Sequence, residues 1–172
     1  MSSKDKNLSV HDSNSIPSGK GCHIGIIVSE WNEEITFSLR DACIDTLTKF
    51  GVEPDNILLK YVPGAFELPL GARLIAGKEK LDAIICLGCV IKGETSHDQY
   101  INSAVANGIM NLSLTSGKPV VFGVLTPNDK QQALNRAGGK YGNKGVEAAT
   151  SALKMINLVK DCKITKGGIG FH

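Results

Sequence analysis

The segment Gly93-Glu94-Thr95-Ser96-His97 joins an anion site to a proton carrier. Gly93 and Thr95 fall where an apolar run ends and a helical pattern begins. N–H groups at such a junction hold phosphate, and a threonine hydroxyl adds a donor. His97 stands at the helix entry, where an imidazole gives or takes a proton near neutral pH. A histidine that only packs or caps the helix end is the competing reading. Glu30-Trp31-Asn32 carries the only tryptophan. On a strand-end loop it either stacks on a flat heterocycle or covers the edge of the core. In Val62-Pro63-Gly64-Ala65-Phe66-Glu67, Pro-Gly makes a tight turn and Gly64 lets another group approach the backbone. Glu67 then lies in a first helical turn, where a carboxylate suits the helix dipole; it could equally bind sugar hydroxyls.

Arg136, Lys140 and Lys144 place three cations in nine residues, as a solvated surface or to meet an anionic substrate. The stretch GGKYGNKG (138–145) superficially looks like a phosphate-binding P-loop. It fails that test, because no Ser or Thr follows Gly-Lys in frame and a helix, not a strand, precedes it. A GxGxxG at the first strand turn, a GxSxG elbow and an acidic pair after strand one are all missing, which argues against dinucleotide, serine-hydrolase and receiver chemistry. No cluster of His and carboxylates suggests a metal, so we expect none. Cys86 and Cys89 form a CxxC without a second ligand pair. The surrounding DAIICLGCVI reads as a buried strand that would turn the two thiols to opposite faces. Five cysteines in all, at 22, 43, 86, 89 and 162, are expected reduced.

These segments need a scaffold. Apolar, β-branched runs predict strands over 23–29, 56–62, 82–91 and 119–126. Between them we expect a helix capped by Thr36 and closed by Gly51, and one over about 66–76 with Pro69 in its first turn. Further helices are expected over about 97–115, over 131–137, and from the Gly/Lys-rich break at 138–145 to about Asp161. This βαβαβαβαα pattern implies an α/β fold of three layers, a four-stranded flavodoxin-like parallel sheet of order 2-1-3-4. Ligands of such sheets bind beyond the carboxyl ends of the strands. That rule selects Ser29–Ile35, Val62–Glu67, Val90–His97 and Thr126–Asp129. We divide the chain into a flexible arm (1–21), one domain (22–161) and a tail (162–172). The 172 residues, 42% apolar and 21% charged with net charge +2, exclude strong electrostatic partners such as nucleic acid. No apolar stretch would cross a membrane and no signal peptide is evident, so the cytoplasm is the expected location.

VPGAFELP (62–69), LGCVIKGETSH (87–97), PVVFGVLT (119–126) and NRAGGKYGNKG (135–145) together resemble the lumazine synthase family, in its order and spacing. The resemblance spans about residues 22–160. It implies condensation of 5-amino-6-(D-ribitylamino)uracil with 3,4-dihydroxy-2-butanone 4-phosphate, giving 6,7-dimethyl-8-ribityllumazine, phosphate and water without a cofactor. This is the penultimate step of riboflavin biosynthesis. By motif, Trp31, with Asn32 beside it, matches the aromatic on the pyrimidine ring. Ala65, Phe66 and Glu67 match the ribityl-binding segment. Cys89, Val90 and Ile91 match the strand end along the pyrimidine. Gly93, Glu94 and Thr95 match the phosphate turn, Arg136 the phosphate-pairing arginine and His97 the proton shuttle. Phe122 and Lys144 match residues that a neighbouring subunit supplies in a pentamer. The chain departs from the family in its tryptophan at 31, in Ser96 and Asp98 around His97, and in Cys89. The short break at 138–145 resembles that of members whose pentamers close into a hollow icosahedral capsid, although Pro17 would hinder strand addition by the arm. A flavin-binding module or a shell-forming scaffold are the rival classes.

Overall fold

The computed structural model describes residues 7, 9–10, 12–78 and 80–164. Four parallel strands, β1 (Ile24–Ser29), β2 (Ile57–Val62), β3 (Ala83–Cys89) and β4 (Val120–Leu125), form one sheet of order β2-β1-β3-β4. Every β3 residue is buried, as a central parallel strand covered on both faces requires. Its side chains alternate between two cores. Ala83, Ile85, Leu87 and Cys89 pack with α1 (Glu33–Lys49) and α5 (Lys144–Ile164). Ile84 and Cys86 pack with α2 (Leu68–Lys78) and α3 (His97–Ser116). The three layers and the strand order are those the sequence pattern implies.

Cys86 and Cys89 therefore belong to different cores, and CxxC is a strand fragment with no pairing role. No disulfide joins the cysteines, and no group of three His, Cys, Asp or Glu suited to a metal occurs among the described residues. No helix there is long and apolar enough to cross a membrane.

Four local features differ from the sequence reading. Helix α1 starts at Glu33, ahead of the expected cap Thr36, which lies fully buried within the first turn. Asn32 precedes it in the left-handed region (φ 61°, ψ 44°), and its carbonyl accepts from Ile35 and Thr36 N–H at 2.8 and 3.0 Å. Asparagine tolerates that conformation, and Glu33 and Glu34 then suit the positive end of the helix. At the other end, Gly51 takes the left-handed C′ position that the sequence predicted (φ 93°).

The 138–145 break is a second difference. It is an antiparallel hairpin of β5 (Ala137–Gly139) and β6 (Gly142–Asn143), behind the short helix α4 (Lys130–Asn135). Strands of three and two residues leave no period-2 signal to read. Third, α5 continues to Ile164, beyond the expected end near Asp161 and into the stretch assigned to the tail. Residues 165–172 of that tail fall outside the described residues. Fourth, packing begins before the domain boundary drawn at 22: Ile16 is buried in the α1/α5 core, and Gly19 N–H donates to Phe50 O at 2.8 Å.

Candidate active site

The loop after β1 is held against the loop after β2. Glu30 N–H donates to Val62 O (2.9 Å) and Trp31 N–H to Pro63 O (3.1 Å), extending the parallel ladder past the strand ends. Asn32 fixes the other side, its Nδ2 donating to Cys89 O at 2.9 Å. Three strand ends thus converge on one short loop, which presents Trp31 to solvent at 73% exposure. The indole lies over Gly64: a Cβ there would sit 3.8 Å from Trp31 Cδ2 and Cε3. Such an exposed indole in a polar rim is a stacking surface without an internal partner among the described residues.

Gly64 opens a short 3-10 turn (Ala65–Glu67) that runs directly into α2. Glu67 Oε2 accepts from Gly64 N–H at 3.1 Å, and Glu67 N–H donates to Gly64 O at 3.3 Å. The reciprocal pair closes the turn like a capping box. It gives Glu67 a role at the helix start and also brings its carboxylate beside Trp31 at Gly64. Ala65 is buried, whereas Phe66 is more than half exposed.

Beyond β3 the chain stays pinned to β4. Val90 N–H donates to Leu125 O (2.8 Å) and Lys92 N–H to Pro127 O (2.9 Å). Ile91 packs against the α1/α5 core and Val90 against the α2/α3 core. Burial raises the Cys89 thiol to about 11 and the Cys86 thiol to about 12, so neither is a nucleophile near neutral pH. What Cys89 offers the rim is its carbonyl. Gly93, Glu94, Thr95 and His97 are exposed. Ser96 makes no side-chain cap bond to α3, although Gln99 N–H donates to Ser96 O at 3.1 Å. Thr95 Oγ1 accepts from His97 N–H at 3.4 Å. Asp98 Oδ1, which the sequence places beside His97, is buried and has no hydrogen-bond partner, as does Asn102 Oδ1 one turn on.

Arg136 and Lys144 form a second group. Arg136 Nη2 lies 2.7 Å from Glu147 Oε1, and Lys144 Nζ lies 3.2 Å from Glu147 Oε2. Arg136 Nη1 also donates to Tyr141 O at 2.8 Å, and Lys144 N–H donates to Arg136 O at 2.9 Å across the hairpin. The carboxylate is 13% exposed, the two cations 22% and 28%. Such a half-buried carboxylate fixes where both cations point. Lys140 stands apart, its Nζ over the Tyr141 ring at 5.2 Å.

The chain brings Trp31, Asn32, 64–67 and 89–90 together at the carboxyl rim, with 93–97 following from β3. No hydrogen bond, ion pair or ring contact among the described residues joins Arg136 or Lys144 to that rim. Phe122 also stays away from it. It sits in the middle of the edge strand β4, opposite Cys86 and half-buried against the α2/α3 core. Glu147 escaped the sequence reading. Its i,i+3 spacing from Lys144 was visible, but its bond to Arg136 depends on the hairpin fold.

Comparison with known proteins gives the family. A family model described as 6,7-dimethyl-8-ribityllumazine synthase matches residues 21–160. The 6,7-dimethyl-8-ribityllumazine synthase of Cytophaga hutchinsonii is 54% identical over 156 residues, covering 91% of this chain and 98% of the relative. The protein of that name from Parabacteroides distasonis is 49% identical over 158 residues, covering 92% and 99%. The one from Flavobacterium psychrophilum is 43% identical over 172 residues, covering all of this chain and 88% of the relative. With the family model spanning the sheet and both residue groups, the chain belongs to the 6,7-dimethyl-8-ribityllumazine synthase family.

Proposed function

We propose that this protein condenses 5-amino-6-(D-ribitylamino)uracil with 3,4-dihydroxy-2-butanone 4-phosphate to 6,7-dimethyl-8-ribityllumazine, phosphate and water. The observation that carries the reading is the convergence on one loop of the ends of β1, β2 and β3, with Trp31 over Gly64 and Glu67 beside it. A planar ring carrying a polyol chain fits that surface. Trp31 stacks on the ring, the backbone of 89–91 and the Asn32 amide edge it, and the amides of 65–67 with Glu67 meet the ribityl hydroxyls. The Gly93–Thr95 turn and the uncapped start of α3 take the phosphate.

In this reading the pyrimidine amine attacks the ketone and a Schiff base forms with loss of water. His97 moves protons in that step and in phosphate elimination. Donors at 93–95 and the Arg136 guanidinium stabilise the departing phosphate by charge-assisted hydrogen bonds. The enol left behind tautomerises, and the ribitylamino nitrogen adds to the remaining carbonyl and loses a second water to close the ring. No step changes a redox state. Holding two substrates in register supplies much of the rate, so His97 assists and is not indispensable.

Because Arg136 and Lys144 share Glu147, one face of the molecule supplies both. The motif resemblance assigned Lys144 and Phe122 to a neighbour and left Arg136 with its own chain. We place all three on the neighbour's side, in a homo-oligomer, a pentameric ring by family resemblance, whose heterologous faces build each site. The cytoplasmic location stands with this reading.

The test is complementation. Trp31→Ala and Arg136→Ala are each made, then co-expressed so that oligomers mix. In a ring with shared sites, about a quarter of the interfaces pair two unaltered faces and regain parental kinetics. Activity no higher than the mean of the two single variants would place the site within one chain.

A further inference from the structure

The hairpin that carries Arg136 and Lys144 is held down from outside by the N-terminal arm. Ser9 Oγ accepts from Asn143 N–H at 2.6 Å and donates to Asn143 O at 3.0 Å. One hydroxyl thus engages both backbone groups of the residue before Lys144. The arm also lies close on Gly142 (φ 85°), where a Cβ would run into Asn7 Oδ1 and Ser9 Oγ. Asn7 in turn orders the arm, since its Oδ1 accepts from Ser9 N–H at 3.0 Å.

Asn143 is the knot through which this grip spreads. It is 8% exposed. Its Oδ1 accepts from Gly145 N–H at 2.8 Å, which caps α5. Its Nδ2 donates to Ser38 O and Ser38 Oγ at 3.2 and 3.3 Å, and Ser38 Oγ donates to Ala137 O at 2.7 Å. Both strands of the hairpin are therefore tied to α1, and the arm closes the open side. The hairpin is short and carries two left-handed glycines, Gly138 and Gly142.

We propose that Ser9 is a positioning residue for the Arg136–Lys144 cation pair: the arm clamps Asn143 and thereby fixes the start of α5 and the hairpin register. This rests on the reading of that pair as the phosphate-side group. It gives Asn7 and Ser9 a part in binding the anionic substrate, although no bond among the described residues joins them to either cation.

The experiment compares full-length parent, Ser9→Ala, Ser9→Thr and Arg136→Ala in steady-state kinetics, with inorganic phosphate as a competing probe. Ser9→Ala should raise both KM for the phosphorylated butanone and the inhibition constant of phosphate by about three- to tenfold, the loss expected for one hydroxyl's hydrogen bonds. KM for the pyrimidine should stay within about twofold, and Ser9→Thr, which keeps the hydroxyl, should behave like the parent. Unchanged phosphate binding in Ser9→Ala, whether or not its melting point falls, would overturn the clamp. So would an equal loss for both substrates, which a merely structural role produces. Should Arg136→Ala itself leave phosphate binding unchanged, the phosphate-side assignment falls and the clamp falls with it. A rise in Arg136→Ala without one in Ser9→Ala refutes the clamp alone.

Discussion

Replacing Asn32 by alanine removes two stabilising features at once. The backbone stays at φ 61° and ψ 44°, and a residue with a Cβ but no polar side chain pays about 1–2 kcal/mol there. The Nδ2 bond to Cys89 O is lost as well. Cys89 is 3% exposed, and a buried carbonyl short of a donor costs about 1–3 kcal/mol. Helix α1 loses nothing further, because Asn32 makes no side-chain cap bond. The two effects share one loop and relax together, so we expect about 2–3 kcal/mol in all. Asn32→Gly separates them. Glycine takes the left-handed conformation without strain, forfeits the same hydrogen bond, and adds about 0.5–1 kcal/mol of chain entropy. It should lie about 1 kcal/mol nearer the parent than alanine does. The assay is urea unfolding followed in parallel by Trp31 fluorescence and far-UV circular dichroism, compared at equal m-values. In both variants KM for the pyrimidine should rise more than KM for the phosphate substrate, because the loop aims Trp31. An Asn32→Ala protein within about 0.5 kcal/mol of the parent would refute the strain-and-anchor argument. A glycine variant no better than alanine would remove the backbone half of it.

Arg136→Ala should raise KM for the phosphorylated substrate at least about tenfold, as loss of one charge-assisted contact implies, and steady-state kinetics will show it. His97→Ala should slow turnover by about two orders of magnitude without abolishing it; complete loss in a folded, assembled protein would assign His97 more than proton transfer. Glu147→Ala breaks a half-buried triad and should cost about 1–3 kcal/mol, read from urea midpoints, with Glu147→Gln milder because it keeps an acceptor. The buried thiols of Cys86 and Cys89 have their pKa values raised to about 12 and about 11 by burial, from an ordinary thiol value of 9.0. Above pH 9 the unfolded thiols ionise while the folded ones stay protonated. Stability is therefore fully present below pH 9 and should fall through about pH 11, and Cys89→Ala should flatten part of that decline in alkaline unfolding curves. A thiol reagent at neutral pH should label the exposed Cys162 quickly and the four buried cysteines only on unfolding.

The sheet was legible because continuous apolarity marks β3, and because helices between strands allow few topologies. The rim was legible too, since Trp31, 64–67 and 93–97 each directly follow a strand and the carboxyl-end rule selects them. What stayed hidden depends on contacts far apart in sequence or on one backbone angle. Nothing in Glu30-Trp31-Asn32 announces that Asn32 will turn left-handed and start α1 ahead of Thr36. The Arg136–Glu147 ion pair forms only when a hairpin too short for a hydrophobic period folds back. Ser9 meets Asn143 across 134 residues, which no local pattern encodes.

The most direct test of the account is to mix the purified protein with the ribityl-aminouracil and the phosphorylated butanone, then follow lumazine fluorescence and released phosphate together. The account predicts that both appear at matching rates, one phosphate per lumazine, and that Trp31→Ala and Arg136→Ala slow both in step. Absence of product from an assembled protein, or phosphate release without lumazine, would contradict it.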